Sequence, residues 1–435
     1  MLKRKATDYI KNWITTKDRK CLVVQGARQT GKTYMIERFA EENFEELLEI
    51  NFKQMPSAMD IFAGDLTVDN MIMAMRFRFP EKKITPGKTL IFLDEIQECQ
   101  EAITSLKFWA IDNRYDVITS GSLLGIDYKR ASSYPVGYVD YLKMYGMDFE
   151  EFLWGMGISE DMIGNLRGYL HTKTVIPEAI QSQMMNYFRQ YIATGGMPEV
   201  VQKYIDTKDF RDVDRVQRSL LQGYQYDIAH YATAEEKVKA EKCYLSLAKQ
   251  LLDKENHKFQ YKEIEHGGRA QKYYSSVEWL LRADMVQLCK YVTDVRFDLD
   301  DYAKDNFFRA YATDLSLLMA MKDFSLKQHI VENTLEGNSK GGIYECAIAD
   351  ALYKKGYSIY FYKNETTKRE IDVIIQKEGN VVPIEVKSGN TRADSLRWLM
   401  KNNRDISYGY KFVDGNIGVS EEGIVTLPLY MITFI

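Results

Sequence analysis

One stretch limits what this chain can fold into more than any other. Gly26-Ala27-Arg28-Gln29-Thr30-Gly31-Lys32-Thr33 reads G-x-x-x-x-G-K-T, the spacing of a P-loop. The apolar run Cys21-Leu22-Val23-Val24 precedes it and predicts a buried strand, and Tyr34 to Ala40 has the apolar spacing of a helix. Strand, loop and helix in that order are the context a phosphate cradle needs. Gly26 and Gly31 let the backbone come close to phosphate oxygens, and the helix adds the positive end of its dipole. Lys32 is expected to reach the β- and γ-phosphates of ATP, and Thr33 to hold magnesium. Ala27, Arg28, Gln29, Thr30 and Tyr34 complete the expected nucleotide contacts. The competing reading is a glycine-rich turn with an incidental lysine; a chance match in a chain of this length is on the order of one per cent.

The acids such a site requires lie further along. Thr89-Leu90-Ile91-Phe92-Leu93 is an apolar strand ending in Asp94-Glu95. In a parallel sheet, ligands bind at the carboxyl ends of the strands, beside the P-loop. Asp94 is expected to hold magnesium and Glu95 to orient and polarise the attacking water. A further strand, Asp116 to Thr119, runs into Ser120-Gly121-Ser122. The hydroxyls of Ser120 and Ser122 are placed to bond the γ-phosphate or the attacking water, or else to cap the next segment. Tyr138 to Met144 reads as one more strand, and Asp148 as the cap of a helix through Leu153. Alternating strands and helices predict an α/β fold with a parallel sheet covered on both faces.

At 435 residues the chain is long enough for roughly two to four domains. Its 58 basic and 62 acidic side chains give a net charge of -4, which does not by itself announce a nucleic-acid partner. Five scattered cysteines with no C-x-x-C pair predict neither a zinc knuckle nor a disulfide framework. The basic start Met1 to Lys5 leads into an amphipathic segment rather than an apolar signal core, and no apolar run is long enough for a membrane span. These features set the expectation of a soluble cytoplasmic protein with no membrane partner.

The stretches GARQTGKT, LIFLDEIQ, ITSGSLLG, YPVGYVDYLKMYGMDFEEFL and GGMPEVV together resemble the bacterial and archaeal AAA-like ATP-binding proteins. The resemblance covers nearly the whole chain, and its last two stretches are the more family-specific. It implies an α/β, P-loop AAA-like core over 1–155, a helical lid over 156–208, a helical and winged-helix domain over 209–325, and a C-terminal α/β restriction-endonuclease-like domain over 326–435. It also implies a homo-oligomer, with Gly195 to Pro198 near the nucleotide and an arginine from a neighbouring subunit at the γ-phosphate. Arg28, Arg114 and Arg130 are candidates for that arginine, and the sequence selects none of them.

Helical spacing dominates from about Phe210 to Tyr291. Toward its end a turn at His266-Gly267-Gly268, a helix from about Gln271 to Arg282 and a strand from Asp284 to Val292 come in succession, which is the winged-helix order. Lys262, Arg269, Lys272 and Tyr273 are then available to meet DNA, although Glu263, Glu265 and Glu278 lie among them.

A second chemical cluster appears near the end. Glu370 to Ile375, a turn at Glu378-Gly379-Asn380, and Val382 to Lys387 predict a hairpin, with Glu345 upstream on a helix. Glu385 and Lys387 are two apart on one strand and share a face, with Asp372 close by. The layout resembles the PD-(D/E)xK nuclease core, with Ile371 in place of that family's proline. The resemblance implies that Asp372 and Glu385 bind magnesium, that Glu345 supports the ion, and that Lys387 orients a water or offsets phosphorane charge. A plain charged hairpin, or a nuclease-like fold that grips DNA without cutting it, are the other readings.

Two functions from different classes follow. The first is an ATPase binding ATP, ADP and magnesium, coupled to a magnesium-dependent, nuclease-like DNA-binding module. The second is a nucleotide-dependent signalling or scaffold switch whose C-terminal domain binds a partner without cutting DNA. A small-molecule kinase is disfavoured by the Asp94-Glu95 pair and by the large portion outside the core.

Overall fold

The computed structural model describes residues 2–121, 135–252, 258–389, 392–420 and 422–435. The chain forms two compact units, one of Lys3–Tyr145 with Arg282–Asp284, the other chiefly of Gly146–Leu281 and Met285–Ile435.

The first unit is built on a five-stranded sheet. Its strands are β1 (Cys21–Gln25), β2 (Glu46–Asn51), β3 (Thr89–Asp94), β4 (Asp116–Gly121) and β5 (Val139–Lys143), in the order β2-β3-β4-β1-β5. Every pair is parallel. Parallel strands are buried on both faces and read as continuous apolar runs, and all six residues of β3 are buried. Alternation along the strands sends Val23, Ile91, Leu93 and Val117 into one core with Phe62, Met71 and Trp109. It sends Leu22, Val24, Leu90, Phe92 and Ile118 into a second core on the opposite face. Met35, Ile36, Phe39 and Ala40 of the helix Lys32–Asn43 close that second core, which fixes the helix, and the loop before it, against the sheet.

The second unit combines helices with an eight-stranded sheet. Its strands are β6 (Val286–Val292), β7 (Ala303–Ala312), β8 (Ile359–Lys363), β9 (Glu370–Lys377), β10 (Asn380–Lys387), β11 (Gly409–Val413), β12 (Gly418–Val419) and β13 (Ile424–Pro428). The order is β12-β13-β11-β10-β9-β8-β6-β7. The expected hairpin is present as β9 and β10, with Val382 opposite Ile375. Asp148 caps its helix as expected: its side chain accepts from the Glu151 amide, and the Glu151 side chain accepts from the Asp148 amide.

The segment expected to form a winged helix joins a larger sheet. The helix before the wing forms, at Ala270–Arg282, and the wing strand forms as β6. That strand pairs in parallel with β8 and antiparallel with β7, inside the sheet that also carries β9 and β10. Its antiparallel partner β7 lies within 209–325, as a wing's would, and its parallel partner β8 lies beyond residue 325. Of the residues expected to face DNA, Tyr273 is fully buried and Lys272 is ion-paired with Glu265.

A buried ion network braces this unit. The Lys354 ammonium lies 2.8 Å from Asp314 Oδ2 and 2.9 Å from Asp350 Oδ2, and donates to the Tyr191 hydroxyl at 2.9 Å and the Met147 carbonyl at 3.1 Å. The Gly196 amide donates to Asp314 Oδ1 at 2.9 Å, and the Met197 amide to Ser316 Oγ at 3.1 Å. This packing accounts for the glycine pair. A Cβ on Gly195, at φ +76°, would lie 2.0 Å from the Ser316 nitrogen, and one on Gly196 would lie 2.1 Å from the Met147 oxygen.

Lys354→Met would leave two buried carboxylates without their cation and is expected to cost about 3–5 kcal/mol in chemical unfolding. Burial pushes the Asp350 carboxyl up from 3.8 to about 7, against the pull of Lys354. Between those values the folded chain holds a proton that the unfolded chain has released, so stability falls as pH rises through the window. Asp350→Asn is expected to flatten that part of the stability–pH profile, followed by thermal unfolding from about pH 4 to 7.

Candidate functional site

The P-loop leaves β1 at Gln25 and ends at Gly31, whose left-handed backbone (φ +85°) turns the chain into the helix Lys32–Asn43. Gly26 passes so close to the end of β5 that a Cβ there would lie 2.1 Å from the Met144 carbonyl oxygen. The buried Arg4 guanidinium anchors the loop by donating to the Thr30 carbonyl at 2.8 Å and the Tyr145 carbonyl at 2.6 Å. The Thr30 hydroxyl donates to the Ala27 carbonyl at 3.0 Å. The amides of the helix's first turn lack intrahelical acceptors and, with the helix dipole, suit an anion.

Lys32 Nζ donates to the carbonyls of Gly26 (3.0 Å) and Ala27 (2.8 Å). Burial pulls its ammonium down to about 8, against the opposing pull of Glu95 and Asp94. Asp94 gathers the neighbouring strand ends. Its Oδ2 accepts from the Thr33 hydroxyl at 3.2 Å and from Asn51 Nδ2 at 2.8 Å, and its Oδ1 accepts from the Ser120 hydroxyl. Thr33 and Asp94 thus put two hard oxygen donors side by side, which suits magnesium. Among the described residues no group of three or more His, Cys, Asp or Glu is arranged to hold a metal ion. The other positions around such an ion would therefore fall to water and the nucleotide's phosphates.

Glu95 follows Asp94 with φ +52°, an unusual backbone for a non-glycine residue and one that recurs at functional turns. Its Oε2 accepts from Gln97 Nε2 at 2.5 Å. A Cβ on Gly121 would lie 2.6 Å from Gln97 Oε1, so the end of β4 is kept bare to admit that side chain.

The other cluster lies in the second unit. Arg309, Glu345, Glu370, Asp372, Glu385 and Lys387 line one cavity of about 300 Å³. Asp372 Oδ2 accepts from the Val386 amide at 2.8 Å. Glu385 is held at both oxygens, by Lys387 Nζ at 2.6 Å and by the Leu396 amide at 3.2 Å. Glu345 Oε1 accepts from Arg309 Nη1 and from the Tyr311 hydroxyl, each at 2.6 Å, and Glu370 Oε1 pairs with Arg309 Nη2. Burial raises the Asp372 and Glu385 carboxyls above the usual carboxylate range. Burial opposes the charged form of Lys387, but Asp372 and Glu385 outweigh it and raise the ammonium above its ordinary value.

Residues 18–153 match the model of the AAA domain, residues 185–328 a domain of unknown function (DUF8612), and residues 340–432 another (DUF4143). The first unit carries an AAA-like P-loop ATPase core. No curated protein matches the chain. Among solved structures, DnaA of Aquifex aeolicus bound to AMPPCP is similar at 11% identity and a TM-score of 0.29, covering 63% of this chain and 84% of its own. ORC1 of Aeropyrum pernix in complex with DNA is similar at 10% identity and a TM-score of 0.28, covering 75% and 91%. The RuvB Holliday junction branch migration motor of Thermotoga maritima is similar at 12% identity and a TM-score of 0.29, covering 65% and 87%. Likenesses this remote bear no functional argument. No helix among the described residues is long and apolar enough to cross a membrane.

Within the AAA core, Lys32, Thr33, Asp94, Glu95 and Ser120 all lie at or just beyond the carboxyl ends of β1, β3 and β4. Arg28, Gln29 and Tyr34 are exposed along the loop and first turn. Ser122 and Arg130 lie outside the described residues. Arg114 is ion-paired with Asp69 and Asp112. Sequence reasoning missed Asn51, which ends β2 opposite Asp94 in the parallel register. The signal was a polar residue closing an apolar strand.

In the second unit, Asp372, Glu385 and Glu345, expected to share a magnesium ion, line one cavity. Lys387 and the Leu396 amide engage Glu385, Arg309 and Tyr311 engage one oxygen of Glu345, and the Val386 amide engages one oxygen of Asp372.

Asn51→Leu keeps the side chain's size and removes its bond to Asp94. Magnesium-dependent nucleotide affinity is expected to fall about 10–100-fold, the usual effect of losing a group that orients a ligand. Titration calorimetry with and without magnesium checks it.

Proposed function

We propose that this chain binds and hydrolyses ATP at the P-loop and couples its nucleotide state to a DNA-binding C-terminal module of nuclease-like layout. The observation that carries the ATPase reading is the convergence of Lys32, Thr33, Asp94, Glu95 and Ser120 at the carboxyl edge of one parallel sheet. Bound magnesium would neutralise charge on the β- and γ-phosphates. In this reading Lys32 exchanges its two loop carbonyls for phosphate oxygens, a contact that restores the ammonium against the burial lowering it. Glu95 accepts a hydrogen bond from the attacking water and turns its lone pair toward phosphorus. Gln97 holds Glu95, and Ser120 and Asn51 hold Asp94, so both acids are oriented before substrate arrives. A homo-oligomer belongs to the proposal, since a neighbouring subunit is the usual source of the arginine that completes AAA sites.

For the C-terminal module, support comes from the order of helix Gly337–Lys354, β8, β9 and β10, with Glu345, Asp372, Glu385 and Lys387 lining one cavity. The engagement of these acids by protein donors favours gripping a phosphodiester over cutting it. The alternative, a switch that binds a protein partner, draws on the near balance of acidic and basic side chains.

Lys32→Ala is expected to weaken ATP binding. Glu95→Gln is expected to bind ATP as the parent does while turnover falls about 10²–10⁴-fold. Full turnover in Glu95→Gln would remove Glu95 from this role. DNA affinity that falls steeply with salt supports the DNA module, and absence of binding favours the protein-partner switch.

A further inference from the structure

We infer that Arg309 is the built-in cation of the C-terminal cavity: it takes the charge-balancing place that a divalent ion would otherwise fill, so the module meets its phosphate ligand without a metal of its own. The inference deepens the reading of this cavity as the module's functional centre and rests on it.

Arg309 comes from β7, the sheet edge, with β6 and β8 between it and β9. Its guanidinium lies over the Phe361 ring of β8, 4.6 Å from the centroid, and so crosses the sheet face to reach the acids. There one nitrogen donates to Glu345 Oε1 at 2.6 Å and to the Asp372 carbonyl at 3.3 Å, while the other pairs with Glu370. The Arg309 side chain is 8% exposed, and those of Glu345 and Glu370 are 14% exposed. Two carboxylates so far out of water need a matching charge, and a planar fork of fixed donors bridges both at once. Magnesium asks for oxygen lone pairs in near-octahedral array. The Glu345 oxygen is already taken by two donors, and Glu385 is held by Lys387 and an amide. Arg309 and the ion are therefore alternatives at Glu345, the acid they share, beside the Asp372 backbone carbonyl that Arg309 also holds. The lysines lining the cavity, Lys258, Lys368 and Lys387, then supply the charge that faces a phosphodiester.

The test is a manganese titration of the full chain in an Asp94→Asn background, which silences the ATPase metal position. The chain that keeps Arg309 is expected to show no manganese site that depends on Asp372. Arg309→Met is expected to gain one manganese ion per chain at least about tenfold more tightly, with loss of that ion when Asp372→Asn is added. Its melting temperature is also expected to rise with manganese while that of the Arg309 chain does not. An Asp372-dependent manganese site in the chain that keeps Arg309 overturns the inference, and that titration decides it even if Arg309→Met fails to fold. Absence of the gained site in a folded Arg309→Met chain overturns it as well. DNA affinity of the Asp94→Asn chain, measured in parallel, is expected to be equal in EDTA and in magnesium. Absence of DNA binding would remove the DNA reading of the module and leave the manganese result to judge Arg309 separately.

Discussion

Three side chains from three separate segments donate to one carboxylate. Asp94 receives Thr33 from the phosphate loop's helix, Asn51 from β2 and Ser120 from β4. No one of these bonds decides the fold, since exchange with water leaves a hydrogen bond to a charged group about 1.5–3 kcal/mol. Their value is positional. They tie the order of the sheet, β2-β3-β4-β1, to the chemistry at its carboxyl edge, because each donor reaches Asp94 only when its strand or helix is in place. The two apolar cores stabilise the sheet, and Asp94 reads out whether it has been assembled correctly.

The second unit follows a different physical rule. Its fixed points are buried cations, each surrounded by carboxylates: Lys354 between Asp314 and Asp350, and Arg309 between Glu345 and Glu370. Pairs of this kind contribute little net stability, because desolvation offsets attraction, yet losing one partner is costly. They act as keys. The Lys354 network accepts a backbone only where Gly195 and Gly196 leave room, which explains a glycine pair that otherwise invites a ligand-binding reading.

Sequence legibility tracked sequence locality. The P-loop, the acid pair ending β3 and the β9–β10 hairpin are short patterns whose meaning lies within a few residues, and each forms at the expected place. Asn51 was hidden because its role depends on the parallel register between β2 and β3, which no local pattern states. The reach of β6 has the same origin: its antiparallel partner β7 is near in sequence, but its parallel partner β8 lies three α-helices further on. Arg309 was the least visible, since an arginine in a strand of mixed polarity gives no hint that it will cross two neighbouring strands to reach Glu370.

The place of β6 and β7 also bears on how this molecule can be divided. A fragment beginning at residue 326 would keep the acids and Lys387, yet it would strip β8 of its neighbour and uncover a row of unpaired backbone groups, an invitation to edge-to-edge aggregation. The same cut would discard Arg309, stranding Glu345 and Glu370 as facing negative charges. Any piece meant to stand alone must therefore begin upstream of Val286, so that the sheet retains both its rim and its counter-charge.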